Sequence, residues 1–70
     1  MAFGKALRRF REEAGLSHAG LAFASGVHPT YVSQLERGLK SPSLDVIAAL
    51  AATLKQKAYV LIRAAEEEAD

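Results

Sequence analysis

At 70 residues the chain has room for one small domain, and a core of that size is marginal without staples, tight helix packing or a partner. It has no cysteine, which excludes disulfides and thiolate zinc sites, and its two histidines lie apart in sequence, so no metal or cofactor is expected. The net charge of +1 conceals an asymmetry: residues 64–70 hold four acids and no base, leaving nine bases against four acids over residues 1–63.

A basic body suits a polyanion partner, and it suits an ordinary solvated surface equally well. No signal peptide or membrane span is expected, because the longest uncharged apolar run, residues 46–54, is far too short to cross a bilayer.

Residues 3–14 read as a first helix. Phe3, Leu7, Phe10 and Ala14 recur at helical spacing, Lys5, Arg8, Arg9 and Arg11 fill the other sides, and Gly15 ends it. Each base could touch a phosphate or simply keep a helix face solvated.

The second helix is expected over 17–24. Ser17 can accept a hydrogen bond from a first-turn amide, and Leu21, Ala22 and Ala24 form a short apolar face. Gly26 supplies the positive φ of a sharp turn. Gly20 weakens this helix, and Phe23 is expected to be partly exposed, with local packing favoured over a binding role.

A third helix, 28–37, opens at His28-Pro29, where proline needs no amide hydrogen, and closes at Gly38 with Arg37 against the negative helix end. Val32 and Leu35 face inward, whereas Thr30, Ser33, Gln34 and Arg37 lie outward. Two short helices joined by a tight turn make a helix-turn-helix, and an exposed helix bearing hydrogen-bonding groups is one that a DNA major groove accepts.

After a loop at 39–42, a fourth helix is expected over 43–54, capped by Ser43 and favoured by Asp45 in its first turn. Leu44, Ile47, Leu50, Ala51 and Leu54 form its core face, yet Val46, Ala48, Ala49 and Ala52 make the other sides apolar too. Such a helix calls for cover on more than one side, which a chain this short cannot supply alone, so a second subunit is expected against it. Residues 57–65 suit a fifth amphipathic helix, with the strand-like run Tyr59, Val60, Leu61, Ile62 leaving a dimer-pairing strand as the alternative. The acidic tail 66–70 opposes the helix dipole and should fray, pointing away from any DNA.

Leu16-Ser17, Leu21-Ala22, Ser25-Gly26-Val27, the run Tyr31-Val32-Ser33-Gln34-Leu35-Glu36-Arg37-Gly38 and Ser41-Pro42-Ser43-Leu44 together resemble the lambda-repressor-like, or XRE-type, helix-turn-helix family. The resemblance covers residues 3–54 and extends more loosely to 65. It implies an all-α, compact four- to five-helix DNA-binding domain occupying residues 1–70, with the helix-turn-helix at 17–37 and the helices at 43–68 dimerising.

It also implies base readout by Pro29, Thr30, Ser33 and Gln34, with Gln34 able to pair bidentately with adenine. Phosphate contacts are expected from His18, where relatives commonly carry glutamine, and from His28, Tyr31, Arg37, Lys40, Ser41, Arg8 and Arg9. Glu36 is expected to be structural, paired with a base of the first helix. Pro29 departs from relatives with Gln or Arg there, so sequence preference cannot be carried over. Val46, Ala49, Leu50, Tyr59, Leu61 and Ile62 are assigned to a dimer interface.

The function expected is a sequence-specific, double-stranded-DNA-binding transcriptional regulator, homodimeric on an inverted-repeat operator, bacterial or phage-encoded and cytoplasmic. The competing reading is a protein-interaction module that docks a protein partner on helices four and five, with DNA secondary. No Cys nucleophile, metal cluster, phosphate loop or paired-carboxylate constellation suggests an enzyme.

Overall fold

Five helices follow one another in the computed structural model, which describes residues 2–68: α1 (Phe3–Glu13), α2 (His18–Ser25), α3 (Pro29–Glu36), α4 (Leu44–Thr53) and α5 (Ala58–Glu67). No strand occurs among the described residues, so 58–67 is helical. The acidic tail is described as far as Glu68; positions 69 and 70 of that expectation lie outside the described residues.

The caps are local and side-chain encoded. Ser17 Oγ accepts from the Gly20 amide at 2.9 Å, and Ser43 Oγ from the Val46 amide at 3.2 Å. Each satisfies one of the amides that a helix start leaves without an internal partner. Gly15, Gly26 and Gly38 follow the first three helices with φ of 72°, 75° and 74°. Lys55 takes the same left-handed conformation after α4, at φ 58°, where a Cβ makes it unfavourable.

The helices pack in a closed circuit: α1 on α3, α3 on α2, α2 on α4, α4 on α5 and α5 on α1. The Ala2 amide donates to the Ala65 carbonyl at 3.0 Å, joining the start of α1 to α5. Leu7, Leu21, Val32, Leu35, Leu50 and Leu61 fill the centre and are essentially inaccessible to solvent. Phe10, Val27 and Tyr31 pack on that core from its edge.

Three expectations need correcting. Leu50 and Leu61 point into the chain's own core and offer no surface to a second copy. Leu44, expected on the core face, is 75% exposed, because it sits at the first position of α4, beyond the edge of the packed cluster. Phe23 is 90% exposed and does not pack locally.

Candidate nucleic-acid interface

The outer side of α3 is built from its inner side. Val32 and Leu35 are buried, which turns Thr30, Ser33, Gln34 and Arg37, spaced at i, i+3, i+4 and i+7, away from the core. Pro29, Thr30 and Arg37 are exposed, while Ser33, Gln34 and Tyr31 are half-buried. Lys40 and Ser41 are exposed on the loop that follows, and with Phe3, Gly4, Leu35, Gly38 and Pro42 they line a shallow cleft beside the start of α1.

Two contacts fix α3 at its C-terminal end. Gly4 of α1 lies so close that a Cβ there would overlap the carbonyl oxygens of Leu35 and Glu36. Backbone therefore meets backbone, and no side chain separates the helices. Beside it, Arg11 reaches from α1 to Glu36, with Nε donating to Oε2 at 2.6 Å and Nη2 to Oε1 at 3.1 Å. The third guanidinium nitrogen, Nη1, donates to the Leu16 carbonyl at 2.8 Å. One side chain thus ties α1, the loop before α2, and α3.

Both charged side chains are nearly inaccessible, 10% for Arg11 and 4% for Glu36. The hydrogen bonds to Glu36 push the guanidinium above its ordinary value, against the opposing effect of burial. The guanidinium is accordingly held in its charged form, and the stability this contributes would fade as pH rose through that elevated value. The expectation that Glu36 pairs with a base of the first helix is met, and the base is Arg11.

His18, in the first turn of α2, places Nε2 3.0 Å from Glu36 Oε1 while its ring stays 47% exposed. His28 plays a part that its sequence position did not suggest: its Nδ1 accepts from the Thr30 amide at 3.1 Å, so it is the N-cap of α3 as well as an exposed residue of that helix start. The signal was available, since His28 stands immediately before a proline at the first helical position. Arg11 was also legible, lying four residues beyond Leu7 on the buried stripe of α1. Gly4 carried no such signal, because only the approach of α3 gives it a role.

Arg8 and Arg9 fit the interface less well than expected. Arg8 Nε bonds Glu12 at 3.2 Å, and Arg9 bonds Glu68 at the end of α5 at 3.2 Å while stacking 5.4 Å from the Phe10 ring centroid. Arg9 is therefore drawn to the acidic end of the molecule, the part that a polyanion would avoid. Among the described residues no group of three or more His, Cys, Asp or Glu could hold a metal ion, and no helix is long and apolar enough to cross a membrane.

Comparison with known proteins bears on this geometry. The family model described as a helix-turn-helix domain matches residues 2–58. An uncharacterized HTH-type transcriptional regulator of Mycobacterium tuberculosis, Rv0474, is 47% identical over 58 residues, covering 83% of this chain. The match takes in only 41% of that regulator's own length.

Among solved structures, the restriction-modification controller protein C.AhdI from Aeromonas hydrophila superposes with a TM-score of 0.84 at 42% identity, covering 86% of this chain and 91% of that one. SinR, the master regulator for biofilm formation, solved in complex with DNA, gives 0.82 at 31% identity, covering 86% and 97%.

A five-helix chain whose second and third helices form this turn, with matches of that extent, belongs to the lambda-repressor-like, XRE-type helix-turn-helix family of DNA-binding transcriptional regulators. It is a family of regulators and not of enzymes.

Proposed function

We propose that the chain is the DNA-reading unit of a transcriptional regulator, acting as a homodimer that sets two copies of α3 into successive major grooves of an inverted repeat. What carries this reading is the outward polar face of α3 on a helix whose C-terminal end is fixed by Gly4 and Arg11. A reading helix must be held rigidly, because base-edge hydrogen bonds have narrow geometric tolerance.

Thr30, Ser33 and Gln34 would read bases, with Pro29 limited to apolar contact. His18, His28, Tyr31, Arg37, Lys40 and Ser41 would meet phosphates, which set register and supply salt-dependent affinity. Of the residues assigned to the dimer face, Val46, Ala49, Tyr59 and Ile62 keep accessible surface; Leu50 and Leu61 are withdrawn.

Selection of bound duplexes from a random pool tests the proposal. An inverted repeat with half-sites about ten base pairs apart is expected. Gln34→Ala should alter the recovered sequence, and Lys40→Ala should weaken binding to every sequence and flatten its salt dependence. Recovery of no motif, with only weak salt-sensitive binding, would overturn it. The exposure of Phe23, Leu44 and Tyr59 favours the second reading, a protein-docking module, in that event.

A further inference from the structure

The Glu36 carboxylate dictates which ring nitrogen of His18 bears hydrogen. We infer that His18 can donate to a DNA phosphate only in its protonated form, so that binding takes up a proton at this residue. The inference rests on the DNA-binding reading above.

Both Glu36 carboxylate oxygens already accept from the Arg11 guanidinium, so Glu36 faces His18 as an acceptor. The imidazole nitrogen facing it across 3.0 Å, Nε2, must carry hydrogen. In the neutral ring this leaves Nδ1 as a bare lone pair, on a side chain that is 47% exposed. His18 stands in the first turn of α2, and in helix-turn-helix docking the first helix of the pair crosses the DNA backbone. A phosphate oxygen also only accepts. Neutral His18 would meet it lone pair to lone pair. Protonated His18 donates at both nitrogens, Nε2–H to Glu36 and Nδ1–H to the phosphate, as a charge-assisted bond. The proton comes from solvent, and no other bond changes.

His28 holds the same neutral tautomer with the opposite atom outward. Its Nδ1 is occupied as acceptor by the Thr30 amide, so Nε2–H is left to point away. It can donate without taking up a proton, and protonation would set two N–H groups against each other at the start of α3. The two histidines therefore have opposite proton requirements for the same kind of contact.

The ionisable groups around His18 are few. Glu36 of α3 bonds it, Arg11 of α1 shares that same carboxylate, and α2 carries no other ionisable side chain. Of the neighbouring acids of α1, Glu12 is bonded to Arg8 and Glu13 is exposed; α4 brings only Asp45, in its own first turn.

The test is fluorescence anisotropy with an end-labelled, mixed-sequence duplex of about 30 base pairs, long enough for two successive grooves. Ionic strength is held constant between about pH 6 and about pH 8, the interval in which imidazoles change charge. Wild-type affinity should fall about tenfold over that interval, the loss of one charge-assisted hydrogen bond. His18→Gln, which can still donate to Glu36 but cannot ionise, should show a flat profile. His18→Lys should keep the low-pH affinity throughout. His28→Asn, a good cap without a titrating ring, should retain the wild-type dependence.

Persistence of the wild-type loss in His18→Gln, or its disappearance in His28→Asn, would overturn the inference while leaving the DNA-binding reading intact. Absence of wild-type binding at both pH values, with helical circular dichroism unchanged, would overturn that reading and this inference with it.

Discussion

The first three helices and the last two share one apolar core and differ in what is added to it. Between α1, α2 and α3 the contacts are directional: a two-pronged guanidinium–carboxylate pair, an imidazole on the same carboxylate, and a backbone approach that admits no Cβ. Between α4 and α5 the contact is apolar, with Ile47, Leu50 and Leu54 buried with Leu61, Ala64 and Ala65 in one core cluster. Hydrophobic burial is large but indifferent to angle, whereas hydrogen bonds between charged groups are sensitive to it. The difference follows the division of labour: the half that would address base edges is fixed in orientation by directional contacts added to the apolar core that all five helices share.

The comparison is broken most severely at Arg11. Arg11→Ala removes both guanidinium bonds from a carboxylate that is 4% exposed and leaves it the His18 imidazole, and a loss of about 3 kcal/mol is expected by thermal or urea denaturation. That is a large part of the stability of a domain this small, so the variant should melt at a much lower temperature. A loss below about 1 kcal/mol would show that the pair does not hold α3.

Leu61→Ala probes the other half. Opening a cavity at a residue with no solvent exposure should cost about 3 kcal/mol. It should leave the DNA sequence recovered in selection unchanged, because nothing directional on α3 is touched; an altered sequence would show that the halves are not separate in this sense.

The smallest effect has the opposite sign. Each helix of the first half is followed by a glycine in the left-handed conformation, while α4 is followed there by Lys55. Lys55→Gly should raise stability by about 1 kcal/mol, read as an upward shift in melting temperature.

What could be read from the chain was local. Ser17 and Ser43 were recognisable as caps, Gly26 as a turn and Pro29 as a helix start, because each acts on atoms within a few residues of itself. The inward assignments of Leu7, Leu21, Val32 and Leu35 followed from periodicity. Periodicity failed at Leu44, which has the right spacing but sits beyond the reach of the core; it placed Leu50 on the core face correctly, and what failed was the assignment of Leu50 and Leu61 to a partner, since both side chains are needed at home. The helical form of 58–67 went against its β-branched and aromatic run and with its neighbours, since propensity yields to packing against α1 and α4. In the candidate interface the outward face of α3 was legible, and the link from His18 to Glu36 and the closeness of Gly4 were not. Each of these is fixed by where a distant segment comes to lie.

The closed circuit of helix contacts has a consequence for transmission. From α5, whose outer side carries Tyr59, a tilt can travel to α3 along two routes. One passes through α4 and α2 and crosses three joints. The other passes through α1 alone and crosses two, the last being the Gly4 approach beside the Arg11 pair. Soft joints absorb displacement and stiff ones relay it. The shorter chain of contacts from α5 to α3 therefore runs through α1, which supplies none of the groups proposed to read bases.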